Sequence, residues 1–459
     1  MRLERISAAM SLFARSAQIF ALTALLCVNL PSLLLAAPPK PTPPPARKGR
    51  DIQVIDGQWK FLTDASRAGE AGGWQKAIPA DARTTSLPAL WGADAAPNYT
   101  GVAWYWREFE TKAGWKGQTV RLRFEAAAEN TQVWLNGEKL GEHTGGATPF
   151  EFNITKPVKI GQKNLVAVRV EGSAKAGAGL WQGVLLMAHD EAYINDVFSQ
   201  GDTHGRMTAA INLLNTSDKT GDSTLEARVI ALNAPAKELK RTLQNLHLTP
   251  ALNLTNLLLS VRGKPLKLWS PEQPFLYSLQ LVFRQDADIL DTQEVIFGFR
   301  EFGYANETLQ INGESLKPTS LVLSLDRPIV LATTEDTAHL REIFLRARNA
   351  GVNILYLDAP PPALLRMADE TGMLIIEGAR PKQKAQAMED EINALILRDR
   401  SHPCILAWNL SDAKDTLVQS VRQLDPTRFL LAGSSTSRKL YAPNQTAPVL
   451  LPEGLLPKP

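Results

Sequence analysis

Side chains able to do chemistry are sparse in this chain. The densest run of them is Arg398-Asp-Arg-Ser-His-Pro-Cys-Ile-Leu-Ala-Trp-Asn-Leu-Ser-Asp412-Ala413. It sets His402 and Cys404 before an apolar stretch and one carboxylate, Asp412, after it. A carboxylate at the exit of a strand can hold or deliver a proton, and the alanine that follows can do neither. A second carboxylate, Glu377, closes the apolar run Met373-Leu-Ile-Ile376. A carboxylate at the C-terminal end of a parallel strand is where barrel enzymes build sites; the alternative is a buried structural carboxylate paired with an arginine. The six histidines, at 143, 189, 204, 247, 339 and 402, are scattered with no pair at ligand spacing, so no metal site and no cofactor are expected.

The elements that would carry these residues change character along the chain. From 51 to 190 the pattern is β: Val120, Leu122 and Phe124 alternate with Arg121 and Arg123, and Val166, Val168 and Val170 with Ala167 and Arg169. Asn136-Gly137 between two short apolar runs predicts a hairpin turn. A second β-rich block spans 191–300. From 301 to 459 helical and strand patterns alternate. Helices are expected over 337–350 and 363–371 and up to Arg398, and strands over 352–357, 373–376, 405–410 and 429–431, which implies parallel β/α units.

Residues 1–37 run basic, then apolar, then small, which is the layout of a secretory signal, with a proline-rich linker over 38–50. Export to the periplasm or medium is therefore expected, the alternative being an uncleaved membrane anchor. The formal net charge is +3, and Arg2, Arg5 and Arg15 against Glu4 supply +2 of it, leaving about +1 for the rest. That excludes a concentrated basic face of the kind nucleic-acid binding needs. With the signal removed Cys404 is the one remaining cysteine, so no intrachain disulfide is expected, and it reads as a small buried hydrophobe.

The run 398–413 resembles the R-D-x-N-H-P-S-I-x-x-W-S-L-x-N-E segment of family 2 glycoside hydrolases, in which the final Glu is the general acid/base; here that position is Ala413. Other strings resemble the same family in the same order: Trp104-Tyr-Trp-Arg-Glu-Phe, Val133-Trp-Leu-Asn-Gly-Glu, Gly141-Glu-His-Thr-Gly-Gly, Gly179-Leu-Trp-Gln-Gly, Leu268-Trp-Ser-Pro-Glu, Phe297-Gly-Phe-Arg300, Asp369-Glu-Thr-Gly…Glu377 and Asp425-Pro-Thr-Arg428. The resemblance implies a multidomain β plus α/β protein: a jelly-roll β-sandwich, an immunoglobulin-like β-sandwich and a partial TIM-type barrel of about five strand units. It departs from the family in the barrel. Pro318 to Ser324 replaces a family string containing His, and Asn353-Ile-Leu-Tyr356-Leu-Asp358 replaces one containing Arg and His. The stretch expected to carry the nucleophilic Glu is not found. Asp412 stands where relatives have Asn, but it neighbours the lost position on a strand and is one methylene shorter than Glu.

The resemblance makes Asp412 and Glu377 the catalytic candidates, and Asp412, Trp408, Glu377, Tyr356 and Asp358 the candidates for binding sugar. The alternatives are a solvated strand end for Asp412 and a core aromatic for Trp408. His402-Pro403 reads as structural. The ten tryptophans, eight of them in the first block, offer sugar platforms only where they face outward. Three functions compete: a catalytically degenerate, exported module that binds carbohydrate or serves as a scaffold; an active glycoside hydrolase with a rearranged site; and a structural partner protein. In the last, an open barrel edge docks another protein or a second copy, unless the proline-rich tail from Leu440 onward covers it as a strap. The order of residues 1–37 predicts an N-terminus beginning at residue 37 or 38 when the protein is recovered from an exporting host. Intact-mass measurement checks this, and an intact Met1 in the membrane fraction would establish the anchor instead.

Overall fold

The computed structural model describes residues 49–456 except 92–97, 234–236, 262–265, 287, 323–329, 331–333, 380–384, 411–414, 434–436 and 446. The leader, most of the linker, Asp412 and Ala413 thus lie outside the described residues. The protein is mostly β, in three blocks along the chain.

The first block pairs a six-stranded antiparallel sheet with a four-stranded one, counted over the described residues. Alternation decides their facing sides: Val120, Leu122 and Phe124 are at most 1% exposed and meet Val166, Val168 and Val170 in one core, while Arg121 and Arg123 point away from it. Asn136 and Gly137 take positive φ (52° and 86°) between strands Glu129–Leu135 and Glu138–Gly145, as a two-residue hairpin requires. Strand Thr100–Glu110 is buried on both faces. Ala103 and Tyr105 enter that core, while Val102, Trp104 and Trp106 pack with Trp134 under the turn-rich segment that carries Trp74 and Ile78. Seven of this block's eight tryptophans are at most 3% exposed and Trp74 is half-buried, so none of the eight is an outward platform.

In the second block, strands Ala192–Gly201, Arg206–Asn215 and Ala251–Ser260 form one sheet, and Gly221–Ala231, Lys237–Leu248, Tyr277–Gln285 and Asp288–Phe297 the other. Their inward residues, among them Ile211, Leu213, Leu225, Leu279 and Phe283, make a second core.

A small sheet over 302–316 leads into the third block. There five parallel strands lie in the order Ser320–Val322, Ile354–Asp358, Leu374–Gly378, Ile405–Asn409 and Phe429–Ala432, with helices Thr334–Asn349, Pro362–Thr371, Ala385–Asp399 and Asp415–Leu424 between them. Near-continuous burial of Ile354, Leu355, Leu374, Ile375 and Leu406 is what covered parallel strands require. Helix Pro362–Thr371 stops at Gly372 (φ 71°), where an added Cβ would lie 2.2 Å from the Pro271 carbonyl oxygen.

The tail corrects the expectation of a strap that does not pair. Residues Lys439–Tyr441 and Pro448–Val449 extend the sheet as sixth and seventh strands, both antiparallel. Pro448 is tolerated because it sits on the outermost strand, where its missing N–H faces no partner. Beyond it the chain returns toward the first parallel strands. Tyr304 Oη donates to Leu450 O at 3.1 Å, Tyr356 Oη donates to Leu455 O at 2.9 Å, and Leu455 is 1% exposed. Deleting residues 442 onward removes the outer strand and unseats Leu455. The expected result is a melting temperature lower by about 5 °C, or aggregation from the bared edge. Differential scanning calorimetry with light scattering checks it; a monomeric variant of unchanged stability would show that the tail carries no weight.

Candidate functional site

The residues singled out in 398–404 converge on packing. Helix Ala385–Asp399 ends in Arg398, whose Nε and Nη2 grip Asp399 at 2.7 and 2.5 Å. Its Nη1 donates to Ala147 O of the first block (2.9 Å) and its Nη2 to Pro360 O (2.6 Å). Arg400 pairs with Asp196 of the second block and lies over the Phe198 ring, 4.6 Å from its centroid. Ser401 Oγ accepts from Ser199 N at 3.2 Å. The His402 ring and Cys404 N both donate to the buried Asp369 carboxylate, at 2.5 and 3.0 Å, while Asp369 O accepts from Trp269 Nε1 at 2.9 Å. Arg300 Nε reaches Pro403 O at 3.1 Å. His402-Pro403 is therefore a structural pair.

Asp369, His402 and Cys404 bring ligand atoms within 4.8 Å of one another, a grouping that sequence spacing hid because the fold brings together residues from two elements. Both Asp369 oxygens and the thiol, which donates to Leu365 O at 3.5 Å, are already used. These three serve one another as hydrogen-bond partners with Cys404 fully buried, and a zinc site would need a fourth ligand as well. Burial opposes a charged His402 ring, but the Asp369 carboxylate outweighs it and raises the pKa.

Glu377 is 0% exposed, inside strand Leu374–Gly378, with Arg398 3.8 Å away. The alternative that pairs it with an arginine describes its placement; as a group that touches substrate it is corrected, because no solvent reaches it. The charge balance is more telling than the distance. Arg398 is already neutralised by two close contacts to Asp399, and neither Glu377 oxygen has a hydrogen-bond partner. Burial first, and the Asp399 carboxylate second, push the Glu377 carboxyl well above the usual range. The charged form of Glu377 is therefore disfavoured in the fold.

Two more candidates are drawn into the interior. Trp408 is 1% exposed and its Nε1 donates to Asp425 Oδ2 at 2.9 Å, which makes it a core aromatic. Tyr356 is 8% exposed, with its hydroxyl spent on Leu455 O, and burial pushes its pKa up from the ordinary tyrosine value. As sugar contacts both are corrected for the same reason: each side chain is buried and spends its polar atom on the protein, Tyr356 on the tail and Trp408 on Asp425. Asp358 alone reaches solvent, at the C-terminal end of strand Ile354–Asp358. Crowding of its carboxyl by surrounding groups, then the Glu391 carboxylate, push it up to about 6 against the pull of Arg438. That raised acid carries no signal in the sequence, since Glu391 and Arg438 come from distant elements.

Comparison with known proteins agrees with this architecture. Residues 52–200 match the family described as glycosyl hydrolases family 2, sugar binding domain, and residues 192–300 match glycosyl hydrolases family 2. A putative β-glucuronidase of Formosa agariphila is 27% identical over 364 residues, 73% of this chain and 34% of that protein. A β-galactosidase of Thermoanaerobacter pseudethanolicus is 26% identical over 343 residues, 68% of this chain and 45% of that protein. The chain thus spans between a third and a half of the length of these relatives. Among solved structures, a glycosyl hydrolase family 2 member from Bacteroides cellulosilyticus superposes with a TM-score of 0.73 at 25% identity, covering 83% of this chain and 57% of that one. A Bacteroides uniformis β-glucuronidase, covalently bound to a cyclophellitol-6-carboxylate aziridine, has a TM-score of 0.70 at 22% identity, covering 84% and 53%.

The raised pKa of Glu377 has a testable sign. A carboxyl whose folded pKa is raised favours the fold below its ordinary value near 4.5 and costs stability as pH climbs above that value. Glu377→Gln, which cannot ionise, is therefore expected to equal or exceed the parent by about 1 kcal/mol at pH 7 and to match it near pH 4. Urea unfolding at the two pH values reads this. A large loss at pH 7 would instead mean that Glu377 is charged and paired with Arg398.

Proposed function

The chain belongs to glycoside hydrolase family 2, and from that premise we propose that it is an exported, catalytically degenerate member that binds carbohydrate or serves as a scaffold. The observation that carries the proposal is the fate of the carboxylates. The acid/base position of the family string is Ala413, and Glu377, which keeps its place in sequence, is fully buried beside Arg398. Retaining hydrolysis needs two carboxyl groups ~5 Å apart across the glycosidic bond, and an inverting one needs them ~6.5–9.5 Å apart with room for water. Within this reading the first block is a jelly-roll sugar-binding module over 51–190, the second an immunoglobulin-like sandwich over 191–300, and the third a partial TIM-type barrel. Residues 1–37 direct export. In the scaffold version a protein partner or a second copy pairs with the edge strand Ser320–Val322.

One observation favours a second reading, an active hydrolase with a rearranged site. Asp358 is exposed at the end of a parallel strand with its pKa up at about 6, in the range suited to a general acid. Asp412 would be its companion.

Screening the purified protein against aryl β-glycosides and a glycan array separates the two. The expected result is turnover at background, unchanged by Ala413→Glu because one added carboxyl does not make a pair, together with retained binding of a glycan. Robust hydrolysis that vanishes in Asp358→Asn or Asp412→Asn would overturn the first reading and establish the second.

A further inference from the structure

A cavity of about 430 Å³ lies where the second block meets the loops leading into the parallel strands, at the opposite end of those strands from Asp358. Ser199 and Gly201 line it from one side, Arg300 from the connecting segment, and Ser401, Pro403 and Arg428 from the other. Its polar lining is incomplete in a particular way. Arg300 is 7% exposed; its Nε is bound to Pro403 O and its guanidinium carbon lies 4.2 Å from the Phe302 ring centroid. Among the described residues, neither terminal nitrogen of Arg300 has a hydrogen-bond partner, and no carboxylate lies within ion-pair distance.

We propose that this cavity is a binding site for a small oxyanion, the phosphate or carboxylate group of a metabolite, held by the two terminal nitrogens of Arg300. A buried guanidinium without a counter-charge is expensive, and an oxyanion supplies both the charge and acceptors for the two free nitrogens. The acids nearby are already engaged. Asp202 pairs with Arg206 at 2.5 Å, Glu301 accepts from Thr203 N at 3.1 Å, and Asp425 lies 3.7 Å from Arg428. Arg428, also in the wall, is fixed by the carbonyls of Arg400 and His402 and offset by Asp425, which leaves Arg300 as the cation facing the cavity without an ion pair among the described residues. Burial, and Arg428 next, hold Arg300 well below the usual arginine range, the strain that a bound anion would relieve. The site is independent of glycosidic chemistry, since it uses none of the residues discussed for hydrolysis.

Isothermal titration of the full chain with inorganic phosphate, and separately with acetate, at constant ionic strength set with sodium chloride, tests the proposal. Saturable binding with a Kd of about 1 mM or tighter is expected in at least one arm, and the tighter arm identifies the phosphate or the carboxylate source. Arg300→Gln should weaken it by about tenfold or more, and Arg300→Lys, which keeps the charge but loses the two-pronged donor geometry, by about threefold. Arg206→Gln, already paired at the rim, should bind as the parent does. If Arg300→Gln does not fold, Arg300→Lys decides. No saturable binding in either arm, or an Arg300→Lys variant that binds like the parent, would overturn the proposal.

Discussion

Three blocks of this protein are joined on seven consecutive residues, Arg398 to Cys404, and what joins them is the need to satisfy buried polar groups. Arg398 reaches the first block through Ala147 O, Arg400 reaches the second through Asp196, and His402 and Cys404 share the Asp369 carboxylate within the third. Each guanidinium brings five donors into a region from which water is excluded, and a donor left bare there costs more than a made bond returns. The blocks can therefore dock only in the arrangement that supplies carbonyls and carboxylates at those places. An apolar patch made of Ala126, Ala147, Trp181, Ala359 and Leu395 fills the seam around Arg398.

This explains which parts of the molecule were legible in the sequence. Period-two patterning set the faces of strands such as Thr119–Phe124 and Lys163–Ser173, because one face of each is buried and a slip of one residue would invert it. Asn136-Gly137 marked a turn through backbone conformations that few residues adopt. The five parallel strands were legible as short apolar runs. The tail was not: Lys439–Tyr441 and Pro448–Val449 are too short to show a period, and their pairing is decided by an available edge, a tertiary fact.

The candidate site was legible as a string of letters and misleading as a geometry. Trp408, Tyr356 and Glu377 stand where relatives present a pocket, yet all three are inside. Tyr356 is held there by Leu455, and Trp408 by Asp425. A motif records which residues the backbone needs at a strand as much as which ones a reaction needs. The raised pKa of Asp358 could not be read from neighbours in sequence, because crowding of the carboxyl and a distant charge cause it.

The tryptophans of the first block have an optical consequence. Eight of the ten lie there, and Trp104 stacks on Trp106 and Trp134 with ring centroids 6.1 and 5.0 Å apart. Indoles this close and nearly parallel couple their electronic transitions, so this one sheet face will imprint a paired band on the circular dichroism spectrum and dominate the intrinsic fluorescence. Light thus sees the first block melt while the rest of the protein, with only Trp269 and Trp408, stays almost dark.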